Sequence, residues 1–261
     1  MGDTLDDDFY IESEFSLTPD IKSASKRKLD SEEEIQAKPK QAKKSPKEKK
    51  SKGGKRTLII PSSTQGQAEL FNDMLKKAFS KLSSLELSSF QAKPEDFMVD
   101  LLDSKTGQNP FRDIVRSALK NPEIFPMDTK NKSQPKFGAP KILVICSSAI
   151  RSVSVVRDIK TGSNLKVGKL FSKHMKIDEQ IDFLQKNEID VAVGTPNRLL
   201  KLLELKKLDT SNLSLLIIDC QRDNKMRTVI DMDDTRKDLS ILWKNELYPH
   251  SASDSTKIVL I

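Results

Sequence analysis

Apolar residues fall into two different rhythms along this chain. From Gln67 onward, Leu70, Phe71, Met74, Leu75, Ala78, Phe79 and Leu82 recur at three- and four-residue spacing. That spacing predicts one long helix with a single apolar face. Pro94-Glu95-Asp96 predicts the opening of a second helix through Phe97, Met98, Leu101 and Leu102, with proline and acids in its first turn. Asn109-Pro110 predicts a third, through Phe111, Ile114, Val115, Ala118 and Leu119. Pro122, Pro126, Asn131 and Pro135 then interrupt any regular pattern as far as Gly138-Ala139-Pro140.

Beyond Pro140 the rhythm changes to short apolar runs alternating with amphipathic stretches. Strands are expected at residues 141–146, 165–171, 190–193, 213–218 and 257–261, and helices at 148–159, 177–186, 196–205 and 235–247. Strands interleaved with helices in this way predict an α/β fold with a parallel sheet covered on both faces. The functional edge of such a sheet is formed by the carboxyl ends of its strands.

The first 56 residues follow neither rhythm. Residues 1–37 are acidic, with Asp6-Asp7-Asp8 and Glu32-Glu33-Glu34, whereas residues 38–56 carry ten lysines and arginines against the single Glu48. That second tract alone carries a net +9, against +7 for the whole chain. Blocks of like charge without apolar periodicity bury too little surface to offset chain entropy, so residues 1–56 are expected to be a disordered tail. The expected organisation is this tail, a helical region at 57–140 packed on or preceding the sheet, and an α/β domain at 141–261.

Within the tail, Lys26, Arg27 and Lys28 precede a second cluster containing Lys43, Lys44, Lys47, Lys49 and Lys50. This is the layout of a bipartite nuclear localisation signal, with an import receptor as partner. The tract would also attract RNA phosphates by releasing counterions, although a solvated lysine-rich linker has the same composition. Ser31, before three glutamates, and Ser45, before Pro46, are candidate phosphorylation sites.

Two cysteines, Cys146 and Cys220, provide neither a disulfide framework nor zinc spacing, and both end predicted strands as reduced thiols. The acidic N-terminus does not read as a signal peptide, and no apolar stretch reads as a bilayer span, so a soluble intracellular protein without membrane contact is expected. No metal site or cofactor is expected. His174 and His250 are isolated and read as ordinary surface residues.

Two segments carry the chemistry. The first runs Ile189-Asp190-Val191-Ala192-Val193-Gly194-Thr195-Pro196-Asn197-Arg198, and the second runs Leu215-Leu216-Ile217-Ile218-Asp219-Cys220-Gln221-Arg222. Thr195 suits an N-cap and Pro196 a first helical position, which would give a rigid helix start able to hold a phosphate, with Arg198 as a second contact. A plain helix cap without a ligand uses the same residues. Ser147 and Ser148 follow the strand ending in Cys146, with Arg151 in the helix beyond, and Lys173 lies in a basic turn after the next strand.

These segments resemble consecutive strands of the first RecA-like domain of DEAD-box RNA helicases. In that family a Thr-Pro-Gly-Arg turn grips RNA and an Asp-Glu-Ala-Asp turn hydrolyses ATP. The resemblance implies candidate RNA contacts at Ser147, Ser148, Arg151, Lys173, Thr195, Pro196, Asn197 and Arg198. Asn197 departs from the family glycine, and neither the proline nor the threonine of the family Pro-Thr-Arg turn is kept at Ser147-Ser148. Asp219 and Cys220 stand at a degenerate Walker B, with cysteine in place of the glutamate that would activate water and Arg222 in place of an aspartate. Asp219 alone could hold a magnesium but is better suited to capping the following turn. None of the nine glycines forms the Gly-x-x-x-x-Gly-Lys spacing of a P-loop. With the second RecA-like domain also missing from this sequence, no enzyme is expected.

The acidic-then-basic tail, the helical region without a P-loop, Ser-Ser-Ala-Ile-Arg after one strand and Gly-Thr-Pro-Asn-Arg-Leu after another together are similar to the Cms-type family of small-ribosomal-subunit assembly factors, in an animal homologue of the yeast protein. That resemblance implies residence in the nucleus and nucleolus, and partners among pre-ribosomal RNA and proteins of the small-subunit processome. Two functions remain open on the residues: RNA binding through the strand-end edge and basic tail, or a protein-interaction scaffold touching RNA only through the tail.

Overall fold

The computed structural model describes residues 59–104, 109–125, 136–173, 175–248 and 256–261. The charged tracts of the first 56 residues, with both basic clusters, Ser31 and Ser45, lie outside the described residues, as do His174 and His250.

Five parallel strands form one sheet: β1 (Ile142–Ile145), β2 (Val167–Leu170), β3 (Val191–Gly194), β4 (Leu215–Ile218) and β5 (Lys257–Leu260), in the order β2-β3-β1-β4-β5. The expected all-parallel α/β sheet is therefore what the chain forms. The helices are α1 (Thr64–Ala78), α2 (Ser84–Ser88), α3 (Pro110–Lys120), α4 (Ala149–Lys160), α5 (Ile177–Lys186), α6 (Pro196–Glu204) and α7 (Asp233–Leu242). β1 lies in the middle, buried at all four positions, which is why its sequence is an unbroken apolar run.

Alternation along the strands divides the core in two. Leu143, Ile145, Leu216, Ile218, Ile258 and Leu260 face α1, α5, α6 and α7. Ile142, Val144, Ile217 and Val259 face α3 and α4. Phe71 of α1 packs edge-on against Trp243 at 5.0 Å, and the Trp243 indole N–H donates to the carbonyl of Phe90 at 2.8 Å.

Three expected elements differ in form. The helix expected from Pro94 to Leu102 is two 3-10 turns, Pro94–Asp96 and Asp100–Ser104, separated by extended backbone at Phe97. The Asp96 carboxylate accepts from the Lys93 amide at 2.7 Å, and the Met98 amide donates to the carbonyl of Ile258 at 2.9 Å. Pairing with the sheet thus takes the amides that a helix would have used. The first helix ends at Ala78, short of Leu82, and Ser83 starts α2 with a reciprocal cap to Glu86. The last helix changes to a π-helical turn over Trp243–Leu247, where the Trp243 indole meets Phe90 and Phe71.

On each outer strand a buried glutamine bonds some of the outward backbone groups. On β5, Gln67 of α1 accepts from the Leu260 amide at 3.1 Å and donates to its carbonyl at 3.4 Å. On β2, the Gln180 amide of α5 donates to the carbonyls of Lys169 and Phe171, both at 2.9 Å.

Candidate functional site: the carboxyl edge of the sheet

Because all five strands run the same way, the turns after β1, β2, β3 and β4 share one edge. Ser147, Lys173, Thr195 and Asp219 all lie on it. The backbone ladder continues one residue past the strands: the Cys146 amide donates to Gly194, Thr195 to Leu170, and Asp219 to Ile145. This extension sets the turns in register.

Gly194 allows β2, β3 and α6 to meet so closely. A Cβ there would lie 2.5 Å from the Leu170 carbonyl oxygen and 2.8 Å from Leu199 Cδ2. Pro196 is buried at the first position of α6 and Asn197 is exposed. Thr195 occupies the N-cap, but its side chain makes no capping bond, contrary to the expectation for threonine at that position. The first-turn amides of α6 therefore have no side-chain acceptor supplied by their own cap.

Arg198 does not project freely as a second contact. Its Nη1 donates to Gln180 Oε1 at 2.8 Å and lies 3.4 Å from the Met175 carbonyl. Since the same Gln180 holds β2, Arg198 is tied to the frame of the edge. Lys173 is exposed after β2. Ser148 caps α4, accepting from the Arg151 amide at 3.3 Å, and Ser147 is half-buried beside it.

The position expected to be a degenerate Walker B is closed from within. Asp219 is 1% exposed, and Arg151 Nε donates to its Oδ2 at 2.6 Å while Nη2 reaches Oδ1 at 3.3 Å. The Asp219 carboxylate also accepts from the Gln221 amide at 3.1 Å, which caps the following turn as its position suggested. Arg151 lies over the Phe111 ring, 5.2 Å from its centroid. Of the candidate RNA contacts, Arg151 is thus the one engaged in an ion pair with a buried carboxylate. Cys146 and Cys220 are both buried, and they belong to opposite cores. Burial, with Asp219 nearby, pushes the Cys146 thiol well above its usual range.

The loop from β4 to α7 closes on itself. Asp223 accepts from the amides of Lys225 and Arg227, both at 2.8 Å, and its carboxylate is gripped by the Arg227 guanidinium at 2.7 Å. Those bonds hold the Asp223 carboxyl below the usual carboxylate range. Met226 at the loop tip is 61% exposed, and Ile150 in the first turn of α4 is 72% exposed.

Residues 17–261 match the model of a family described as "CMS1: U3-containing 90S pre-ribosomal complex subunit". The chain belongs to the CMS1 family. Protein CMSS1 of Xenopus laevis is 30% identical over 201 residues, covering 76% of this chain and 69% of that protein. Protein CMSS1 of Danio rerio is 33% identical over 155 residues, covering 58% and 53%. Protein CMS1 of Chaetomium thermophilum is 34% identical over 132 residues, covering 49% and 52%. The matched part of this CMS1-family chain thus spans about half the length of the latter two relatives. Among solved structures, the yeast DEAD-box splicing factor Prp28 is similar with a TM-score of 0.42 and 18% identity, over 64% of this chain and 45% of that one. Yeast Dbp5 bound to RNA and ADP BeF3 gives 0.35 and 16%, over 72% and 43%. The family description ties the CMS1 family to ribosome biogenesis.

Among the described residues no helix is long and apolar enough to cross a membrane, and no cluster of three or more potential ligands could hold a metal ion.

Proposed function

We propose that this chain is a non-catalytic nucleolar factor of small-subunit biogenesis that binds pre-ribosomal RNA through the carboxyl edge of its sheet and its basic tract. The observation that carries this reading is the contrast between two neighbouring turns. At Asp219 a guanidinium fills the space beside the carboxylate where a magnesium would be needed. At Thr195 the start of α6 lacks a side-chain cap and lies beside exposed Asn197. The edge therefore favours phosphate contact over nucleotide hydrolysis. Arg198 and Gln180 act as positioning residues for that contact, with Ser147, Ser148 and Lys173 around it. Lys26, Arg27, Lys28 and the second cluster engage an import receptor, processome proteins surround the chain in the pre-ribosome, and phosphate on Ser31 or Ser45 tunes the tail's charge.

The test is RNA crosslinking in living cells, comparing wild type with Lys173→Glu/Asn197→Asp. Both residues are exposed, whereas reversing Arg198 would set a carboxylate against Gln180 Oε1. Crosslinks in pre-ribosomal RNA should be lost or moved in the variant. If they persist unchanged, the edge is not an RNA platform.

A second reading, a protein-interaction scaffold, draws on the exposed side chains of Ile150 and Met226. Under it, Ile150→Ser/Met226→Ser would release the chain from pre-ribosomal particles while RNA crosslinks from the tail remain.

A further inference from the structure

At the other end of β2, away from the strand-end turns, α3 and the turn from α4 into β2 enclose a cleft of about 310 Å³. Arg112, Arg116 and Lys120 line one wall, and Ser163 and Asn164 the other, with two leucines between them. No lining residue is acidic. The three cations recur every fourth residue, so they form a row along one side of α3 with a rise of about 6 Å between neighbours.

These cations are not equally occupied. Arg112 is paired with Asp113 at 2.9 Å. Arg116 and Lys120 are exposed and make no ion pair among the described residues, and Arg116 donates to the Gly162 carbonyl at 3.3 Å. Gly162 has a φ of +63° with open space where a Cβ would stand, which leaves the turn accessible from outside. Lys160, at the end of α4 just before this turn, is also exposed and without an ion pair among the described residues. Asp113 is held by Arg112, and Asp158 of α4 is turned inward to accept from the Phe111 amide at 2.9 Å.

We propose that this cleft binds the phosphate backbone of a single RNA strand, as a second contact surface separate from the strand-end edge. A regular row of cations suits a regularly charged polymer, and successive phosphates are spaced comparably with successive turns of the row. The leucines supply an apolar floor for a ribose, and Asn164 and Ser163 supply polar groups beside it. An acidic protein segment is the competing occupant, but its charge lacks that fixed period. The inference shares with the strand-end reading only the class of partner.

The test is fluorescence anisotropy of a labelled 20-mer of polyuridine with the full chain across a salt series. Arg116→Glu/Lys120→Glu should weaken binding about tenfold and flatten the slope of log affinity against log salt by about 1.4, the value for two lost phosphate contacts on a single strand. Lys76→Glu/Lys77→Glu, with the same change in net charge on α1, serves as the control. An effect in the α3 variant no larger than in that control overturns the proposal, as does equally tight, equally sensitive binding of a polyglutamate 20-mer. Neutral Arg116→Gln/Lys120→Gln should show the same order of effects with a smaller amplitude, and thermal melts check that each variant is folded. Lys173→Glu/Asn197→Asp in the same assay separates the two surfaces. If it is inert while the α3 variant is weakened, the strand-end reading fails and the cleft stands; the reverse result sinks the cleft alone.

Discussion

Arg151 and Asp219, 68 residues apart in sequence, meet in a two-point ion pair beneath the carboxyl edge of the sheet, with Nε 2.6 Å from Oδ2. Both halves of the pair need each other. Removing the guanidinium leaves a carboxylate that is 1% exposed, with the Gln221 amide still bound to it but no guanidinium beside it. Arg151→Met should therefore destabilise the fold by about 3 kcal/mol, the low end of the usual cost of breaking a buried pair, because Arg151 itself remains partly solvated. Arg151→Met/Asp219→Asn should recover part of that loss. Urea unfolding of the two single variants and the double variant checks both values as a coupling energy.

The glutamine that closes β5 gives a second prediction. Gln67→Leu keeps the volume of the side chain but strips partners from the Leu260 amide and carbonyl. A buried polar group left unpaired costs about 1–3 kcal/mol, so the variant, which strands two, should lose about 2–6 kcal/mol. Hydrogen exchange should show the loss first at Leu260, whereas a uniform loss of protection would argue against this local account.

Gly194→Ala should be destabilising by about 1–3 kcal/mol, the range for overpacking. The added methyl would meet the backbone oxygen of Leu170, which cannot rotate away. Thermal melts measure the shift, and Gly168→Ala, whose methyl would meet only Ile189 side-chain atoms at 3.4 Å or beyond, is the milder comparison.

Asp158 predicts a pH dependence. Burial raises its carboxyl above the ordinary range, opposed by the backbone amides of Phe111 and Arg112, and its Oδ1 has no hydrogen-bond partner among the described residues. A group whose folded pKa is raised contributes its stabilisation in full below the unfolded value, about pH 4, and loses it as pH rises through the folded value. The stability of wild type relative to Asp158→Asn should thus be most favourable in acid and should decline toward neutral pH. Urea midpoints across that interval read the difference directly, and a difference that stayed flat would contradict it.

Much of this fold was legible in the rhythm of its apolar residues. The central strands are continuous apolar runs, and the helix over Ile177–Lys186 has the ends its pattern indicated. The segment around Phe97 was not legible, because its extended form depends on Ile258, a partner far away in sequence. The residues of the carboxyl edge could be named from their motifs, but the direction of each side chain could not. Arg151 and Arg198 were both candidate RNA contacts, yet one turns to Asp219 and the other to Gln180. Gln67 and Gln180 did leave a signal: each is a polar residue in the apolar stripe of its helix, where an exposed glutamine would not be expected.

Those two side-chain amides have a consequence for how this chain meets other molecules. An outer strand with unsatisfied backbone groups is a template for another strand, whether from a partner or from a second misfolded copy. Here Gln180 holds the outward carbonyls of Lys169 and Phe171, while Gln67 and Met98 hold those of Leu260 and Ile258. Strand addition at these positions is thereby disfavoured at both margins of the sheet.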